Sequence, residues 1–264
     1  MLSAPRSDDR HQRPQRSLRQ EYDEYVMERI EGFKNQLARN ALLAIADEAV
    51  RELEAEPQGQ FLLTEIMVWE YVDRLIAKRQ RIPTYNRWRE KHIRLRRAQR
   101  EPVHWGLPPK GPLTDLSRRL EPSDLCAVAG AGGQHAALFL AAHDADVLLI
   151  DDDLTAVEAA ENRAGTEALG TRVQGLFLQF GGDWFPDVAP VLCVLDAGTL
   201  GRLAAEVRDR FLEDLKARTT HGGIHCLLPA GGDVRSLSDS VLQQRYQDWS
   251  VERQRKGWFV AIRP

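Results

Sequence analysis

Val128-Ala129-Gly130-Ala131-Gly132-Gly133-Gln134-His135-Ala136 is the stretch on which the fold turns. It closes a short apolar run, Leu125 to Val128, and opens an apolar-rich helical stretch, Ala136 to Ala142. Further on, a second apolar run, Val147 to Ile150, ends in Asp151-Asp152-Asp153. Strand, glycine turn, helix, strand, acid is how an α/β sheet builds a nucleotide site. The glycines let backbone approach a ligand with no Cβ in the way. The helix N-terminus offers free N–H groups, and an acid at the next strand end can accept both hydroxyls of a ribose.

Outward from this stretch, apolar runs alternate with longer amphipathic segments. Strands are expected at 125–129, 147–150, 172–178, 191–195 and 223–228, and helices at 133–143, 154–169, 200–218 and 237–247. Such alternation implies a parallel sheet wrapped by helices. The last piece differs. Residues 248–254 alternate polar and apolar, Arg255-Lys256-Gly257 turns, and Trp258 to Arg263 runs apolar again, which predicts a hairpin. The expected class is α/β: a Rossmann-like doubly wound sheet, mostly parallel, with an antiparallel C-terminal hairpin strand and an N-terminal α-helical module.

The N-terminal half reads differently. Residues 1–18 are polar and Arg-rich and are expected to be a disordered tail. Residues 19–101 form the helical module, 102–122 a proline-rich linker with a short helix from Leu113, and 123–264 the α/β domain. The apolar spacing from Tyr22 to Leu53 predicts one long amphipathic helix, bent at Gly32. A second helix, 64–79, places Ile66, Trp69, Val72, Leu75 and Ile76 on one face; a third covers 84–100, with Trp88, Ile93 or His92, and Leu95 inward. Glu21 to Glu56 holds ten acids against four bases, whereas Lys78 to Arg100 holds ten bases against Glu90 alone. The favoured reading packs the acidic helix against the basic one. The rival is a helix-turn-helix whose basic helix, 78–100, contacts nucleic acid with Tyr85 and Trp88 available.

Composition narrows the setting. The 264 residues carry a net charge of −3, which predicts no bulk attraction to nucleic acid or to a membrane. No apolar run reaches the length of a membrane span. The Arg-rich start lacks the apolar core of a secretory signal, so a cytoplasmic location is expected. Cys126, Cys193 and Cys226 each sit in an apolar run and are read as reduced structural thiols. No metal site is expected, because ligand spacing such as C-x-x-C is absent.

The segment from Asp124 to Pro264 resembles the class I S-adenosylmethionine-dependent methyltransferases. The resemblance rests on the Gly132-Gly133-Gln134 turn, on Asp151 after the second strand, and on the terminal hairpin, 249–263, similar to the family's reversed seventh strand beside the sixth. The hairpin separates this reading from a nicotinamide-binding Rossmann domain, which the glycine turn and Asp151 alone would allow. The resemblance implies S-adenosylmethionine as cofactor. It implies that Ala129, Gly130, Ala131, Gly132 and Gly133 line the donor site and that Asp151 holds the ribose hydroxyls. Asp152 faces the adenine edge or is plain surface, and Gln179 follows the third strand, where the family contacts the adenine amino group. Asp196 ends the fourth strand at the carboxyl edge, where open α/β sheets bind ligands.

The sequence also departs from the family's pattern. Ala127 and Leu176 stand where the family often carries acids, and Asp196-Ala197-Gly198-Thr199 replaces the tetrapeptide that grips a flipped base or an amide. No catalytic residue is named. The implied acceptor is a small molecule or a protein side chain, with a homodimer considered for the assembly. The rival function is a non-catalytic methyltransferase-like binding protein whose basic helices contact nucleic acid or a protein partner. Asp153 is expected to cap the next helix, His135 to be a packing or surface residue, and His225 a satisfied core histidine.

Overall fold

The structure, a computed structural model, describes residues 17–55, 65–182, 184–229, 239–253 and 258–264. The expected tail and the turn at 255–257 therefore lie outside the described residues, apart from Ser17 and Leu18. The chain divides into two compact units, Met1–Leu95 and Arg96–Pro264.

The first unit is helical: α1 (Leu18–Gln36), α2 (Arg39–Ala55), α3 (Glu65–Arg79) and the beginning of α4 (Tyr85–Gln99). Ser17 starts α1 with a capping box, reciprocally bonded to Gln20. The single long helix expected across 20–54 is two helices. The chain does not bend at Gly32; it breaks at Leu37, whose backbone is extended. The step of five from Leu37 to Leu42 is too long for one helical face, so keeping both in the core requires a change of direction. Ile30, Ile45, Ala49, Leu53, Tyr71, Val72, Leu75 and Ile76 form that core. The expected inner face of α3 is rotated: Tyr71 joins Val72, Leu75 and Ile76 inside, while Ile66 and Trp69 are 71% and 44% exposed. On α4, Trp88 packs against the rings of Tyr22 and Tyr25 and stacks on His92, which meets Glu21 at 3.0 Å.

The second unit is built on a seven-stranded sheet. Its strands are β1 (Leu125–Ala129), β2 (Asp146–Asp151), β3 (Val173–Phe177), β4 (Leu192–Asp196), β5 (Ile224–Leu228), β6 (Ser250–Arg253) and β7 (Phe259–Ile262), in the order β3-β2-β1-β4-β5-β7-β6. The first five are mutually parallel; β7 is antiparallel to both β5 and β6. This is the Rossmann-like sheet with a reversed hairpin strand that the sequence implies.

Because side chains alternate along a strand, the sheet has two apolar faces. Cys126, Val128, Val147, Leu149, Leu192 and Val194 pack with α5 (Pro112–Ser117), α6 (Gln134–Ala142) and α7 (Leu154–Thr166). Ala127, Ala129, Leu148, Ile150, Cys193 and Leu195 pack with α8 (Ala197–Arg202), α9 (Ala205–Arg218) and α10 (Asp239–Arg245). The helix expected at 200–218 is thus two helices, parted at Leu203, where the backbone is extended. Residues 102–117 contribute to this core: Trp105 lies in a 3-10 turn, its indole N–H donating to the Gln99 carbonyl at 2.6 Å, and Leu113 and Leu116 are buried. Gly175 lets α7 lie close on β3, since a Cβ there would come within 2.4 Å of Val157.

His225 is fully buried on β5. Thr219 donates its hydroxyl hydrogen to the Leu215 carbonyl at 2.7 Å, so it can only accept from His225 Nε2 at 2.8 Å. That leaves Nδ1 unprotonated, to accept from the Tyr246 hydroxyl at 2.7 Å. The ring is a satisfied neutral core histidine: burial above all, with Lys216 and Arg263 near, pushes its pKa down to about 3.

Candidate functional site at the carboxyl edge of the sheet

In an open α/β sheet the ligand crevice lies where the strand order reverses, here between β1 and β4. β1 ends at Ala129, hydrogen-bonded between β2 and β4. Gly130 then turns the chain with a φ of +96°, a conformation that disfavours any side chain. Its N–H donates to the Ile150 carbonyl at 3.0 Å, and the N–H of Gly133 donates to the Gly130 carbonyl at 2.8 Å, closing a 3-10 turn over Ala131–Gly133. α6 follows with no side-chain cap on its first turn, whose N–H groups have no partner within the helix.

Each glycine of this turn also permits a close approach within the protein. A Cβ on Gly130 would stand 2.6 Å from Thr199 Oγ1, one on Gly132 2.6 Å from the Asp196 carboxyl carbon, and one on Gly133 2.5 Å from Val128 Cγ1. The glycine turn therefore closes directly on the start of α8. Asp196 caps that helix: Oδ2 accepts from the Thr199 N–H at 2.9 Å and hydroxyl at 2.6 Å, and Oδ1 from the Gly198 N–H at 3.3 Å. Arg202 donates to the Thr199 hydroxyl oxygen at 3.1 Å. Sequence reading singled out Asp196 but missed Thr199, although Asp-x-x-Thr before a helical stretch is a capping signal.

On the other side of β1, Asp151 ends β2 and is 3% exposed. Its Oδ1 accepts from the Asp153 N–H at 2.9 Å. Its Oδ2 is buried with no hydrogen-bond partner among the described residues. Burial raises its pKa; the Asp153 N–H bond opposes the rise, and the charges of Asp152 and Asp153 add to it. Asp152 is exposed, and Asp153 caps α7 by accepting from the Thr155 N–H at 2.9 Å. The three acids have thus separated into a buried acceptor, a surface charge and a cap.

Gln179 is exposed just beyond β3, and its carbonyl accepts from the Gly182 N–H at 3.2 Å. The same edge carries apolar side chains that sequence reading did not single out. Phe177, the cross-strand partner of Asp151, is 54% exposed; Leu154, at the start of α7, is 52% exposed; Trp184 is 61% exposed. Ala127 and Leu176, at the positions where the family often has acids, belong to or pack against the apolar core on the α8–α10 face. His135 is exposed on α6, 3.4 Å from Arg163. The three cysteines are buried and free, and burial pushes the thiols of Cys193 and Cys226 up to about 12.

No protein-family profile matches the chain, and neither does any curated protein. Solved structures do show similarity. A TehB-like SAM-dependent methyltransferase from Corynebacterium glutamicum is 16% identical, with 66% of this chain and 97% of that one covered and a TM-score of 0.48. A SAM-dependent methyltransferase from Aquifex aeolicus is 17% identical, covering 57% of this chain and 88% of that one, with a TM-score of 0.46. TehB from Haemophilus influenzae is 16% identical, with 59% and 62% covered and a TM-score of 0.45.

Proposed function

We propose that residues 123–264 bind S-adenosylmethionine at the carboxyl edge of β1 and β2 and transfer its methyl group to a small-molecule or protein acceptor. The observation that carries this reading is the Asp151 Oδ2 atom. A buried polar atom without a partner is costly, and one at the end of β2 has the place and chemistry to accept from a ribose hydroxyl. The exposed faces of Phe177 and Leu154 offer an apolar surface to an adenine ring beside it. The reversed β7 supports the same reading, since it is the feature that separates the resemblance from a nicotinamide-binding domain.

Asp151 would hold the ribose, and the N-terminal turn of α6 with Gly130–Gly133 would face the remainder of the donor. The bound donor supplies an electrophilic methyl group on a sulfonium. The chain's task is then alignment and exclusion of water, for which a dedicated base is optional. Isothermal titration with S-adenosylmethionine and with its demethylated product tests the proposal. Both should bind, and Asp151→Ala should weaken binding more than tenfold. No heat with either at millimolar concentration rejects it.

One observation favours a second reading. The contacts of Gly130 and Gly132 with Thr199 and Asp196 account for the glycines by packing alone. On that reading the domain is a methyltransferase-like scaffold that binds a partner without transferring. Failure of the donor to bind to a chain that folds normally would select it.

A further inference from the structure

In the first unit, Trp88, Tyr22, Tyr25, His92 and Glu21 occupy the inner side of α4, and Trp88 is 8% exposed. The flank of the helix about a quarter-turn round from Trp88 is left to charge. Arg87, Lys91 and Arg94 fall at i, i+4 and i+7, so they share one face, and all three are exposed. Arg81 in the preceding turn is exposed as well, and Glu90, at i+3 from Arg87 and i−4 from Arg94, is the one acid beside this face. None of these four cations makes an ion pair with the described residues. The acidic helices do not neutralise them: Arg79 pairs with Glu48 of α2 and His92 with Glu21 of α1, both away from the outer face. Other acids pair with other cations, as Asp23 with Arg19, and Glu31 and Asp73 with Lys34. α4 thus carries exposed, unpaired positive charge although the chain's net charge is only −3.

We propose that the outer face of α4 docks on the phosphodiester backbone of a nucleic acid, without reading its sequence. Charge complementarity selects the occupant. Arg87, Lys91 and Arg94 span about 10 Å at the ~1.5 Å rise of a helix, a row of donors that can follow successive phosphates. Arginine predominates among the four, and its planar fork matches phosphate oxygens. Trp88 is used for packing, so stacking on bases by this residue is not part of the interaction, and phosphate contacts carry no sequence information.

The test uses the full chain and no methyl donor, so its outcome is separate from that of the donor-binding proposal. Fluorescence anisotropy is measured with a duplex DNA, an RNA duplex and a single-stranded RNA of random sequence between 50 and 200 mM salt, as an experimental range over which phosphate binding changes steeply. Binding to at least one, weakening steeply with salt, is expected. The triple variant Arg87→Gln, Lys91→Gln, Arg94→Gln should lower affinity at low salt at least tenfold and reduce the salt slope by about 2.7, from ~0.9 per phosphate contact. A control with the same loss of charge, Arg29→Gln, Arg39→Gln, Arg51→Gln on α1 and α2, should bind within about threefold of the parent, since these positions lie off the docking face. Circular dichroism melting confirms that both variants fold. Absence of binding at low salt, equal loss in both variants, or binding to phosphatidylserine vesicles but to no nucleic acid overturns the proposal.

Discussion

The carboxylate of Asp196 occupies the place where a side chain on Gly132 would have to go. An added Cβ would lie 2.6 Å from the carboxyl carbon, and that carboxylate is held by three hydrogen bonds at the start of α8. Glycine turn and helix cap are one packed unit across the crevice between β1 and β4.

Gly132→Ala should therefore force Asp196 off its capping position. The expected cost is about 1–3 kcal/mol, the range for overpacking a fitted site, read as a lower urea midpoint with an unchanged slope. The smaller change Asp196→Asn keeps an acceptor for the Thr199 N–H and should cost less. Wild-type stability in Gly132→Ala would show that the carboxylate is free to move.

Asp151 bears a charge that its surroundings do not favour. Its folded pKa is raised by burial above the ordinary 3.8, so the folded state holds the proton to higher pH than the unfolded chain. The group thus favours folding below the unfolded pKa and works against folding as pH rises through the folded one. Asp151→Asn keeps the oxygen that accepts from the Asp153 N–H and removes the charge. It should leave the protein at least as stable as wild type at pH 7, by a gain on the order of 1 kcal/mol, and the gain should shrink toward pH 4. Donor affinity should fall more than tenfold at the same time. Chemical unfolding at the two pH values checks the first part and isothermal titration the second.

The neutral His225 makes the opposite pH demand. The unfolded chain binds a proton near pH 6.5, whereas the folded state resists it until about pH 3. Stability from this group is full above 6.5 and is lost as pH falls through that window, at up to about 1.4 kcal/mol per pH unit. His225→Asn should show a shallower dependence between pH 6 and 4. Tyr246→Phe, which leaves His225 Nδ1 without its donor, should cost about 1–3 kcal/mol at pH 7.

Much of this protein is legible in its sequence. The five parallel strands and the terminal hairpin follow from short apolar runs, because burial on both faces leaves few other ways to place them. Asp153 as a cap, His225 as a core residue and the cysteines as buried thiols follow from their local setting. The break at Leu37 was present as a five-residue step in the apolar spacing, though the nearby glycine suggested a bend elsewhere. Which face of α3 turns inward was not legible, since Ile66 and Trp69 lie within a helical arc of the residues that are buried.

The sequence by itself determined the order of elements and the position of the glycine turn, because hydrophobic period and backbone permissiveness are local properties. Only the tertiary structure decided how deeply each acid is buried and which oxygen is left without a partner. Asp151, Asp152 and Asp153 are identical in kind and adjacent in the chain, yet one is buried with an open oxygen, one is solvated and one caps a helix. Asp196 lies 64 residues from Gly132 and meets it only when β4 pairs with β1. Burial and contact across a sheet are set by the packing of distant segments, and that is where the character of this site resides.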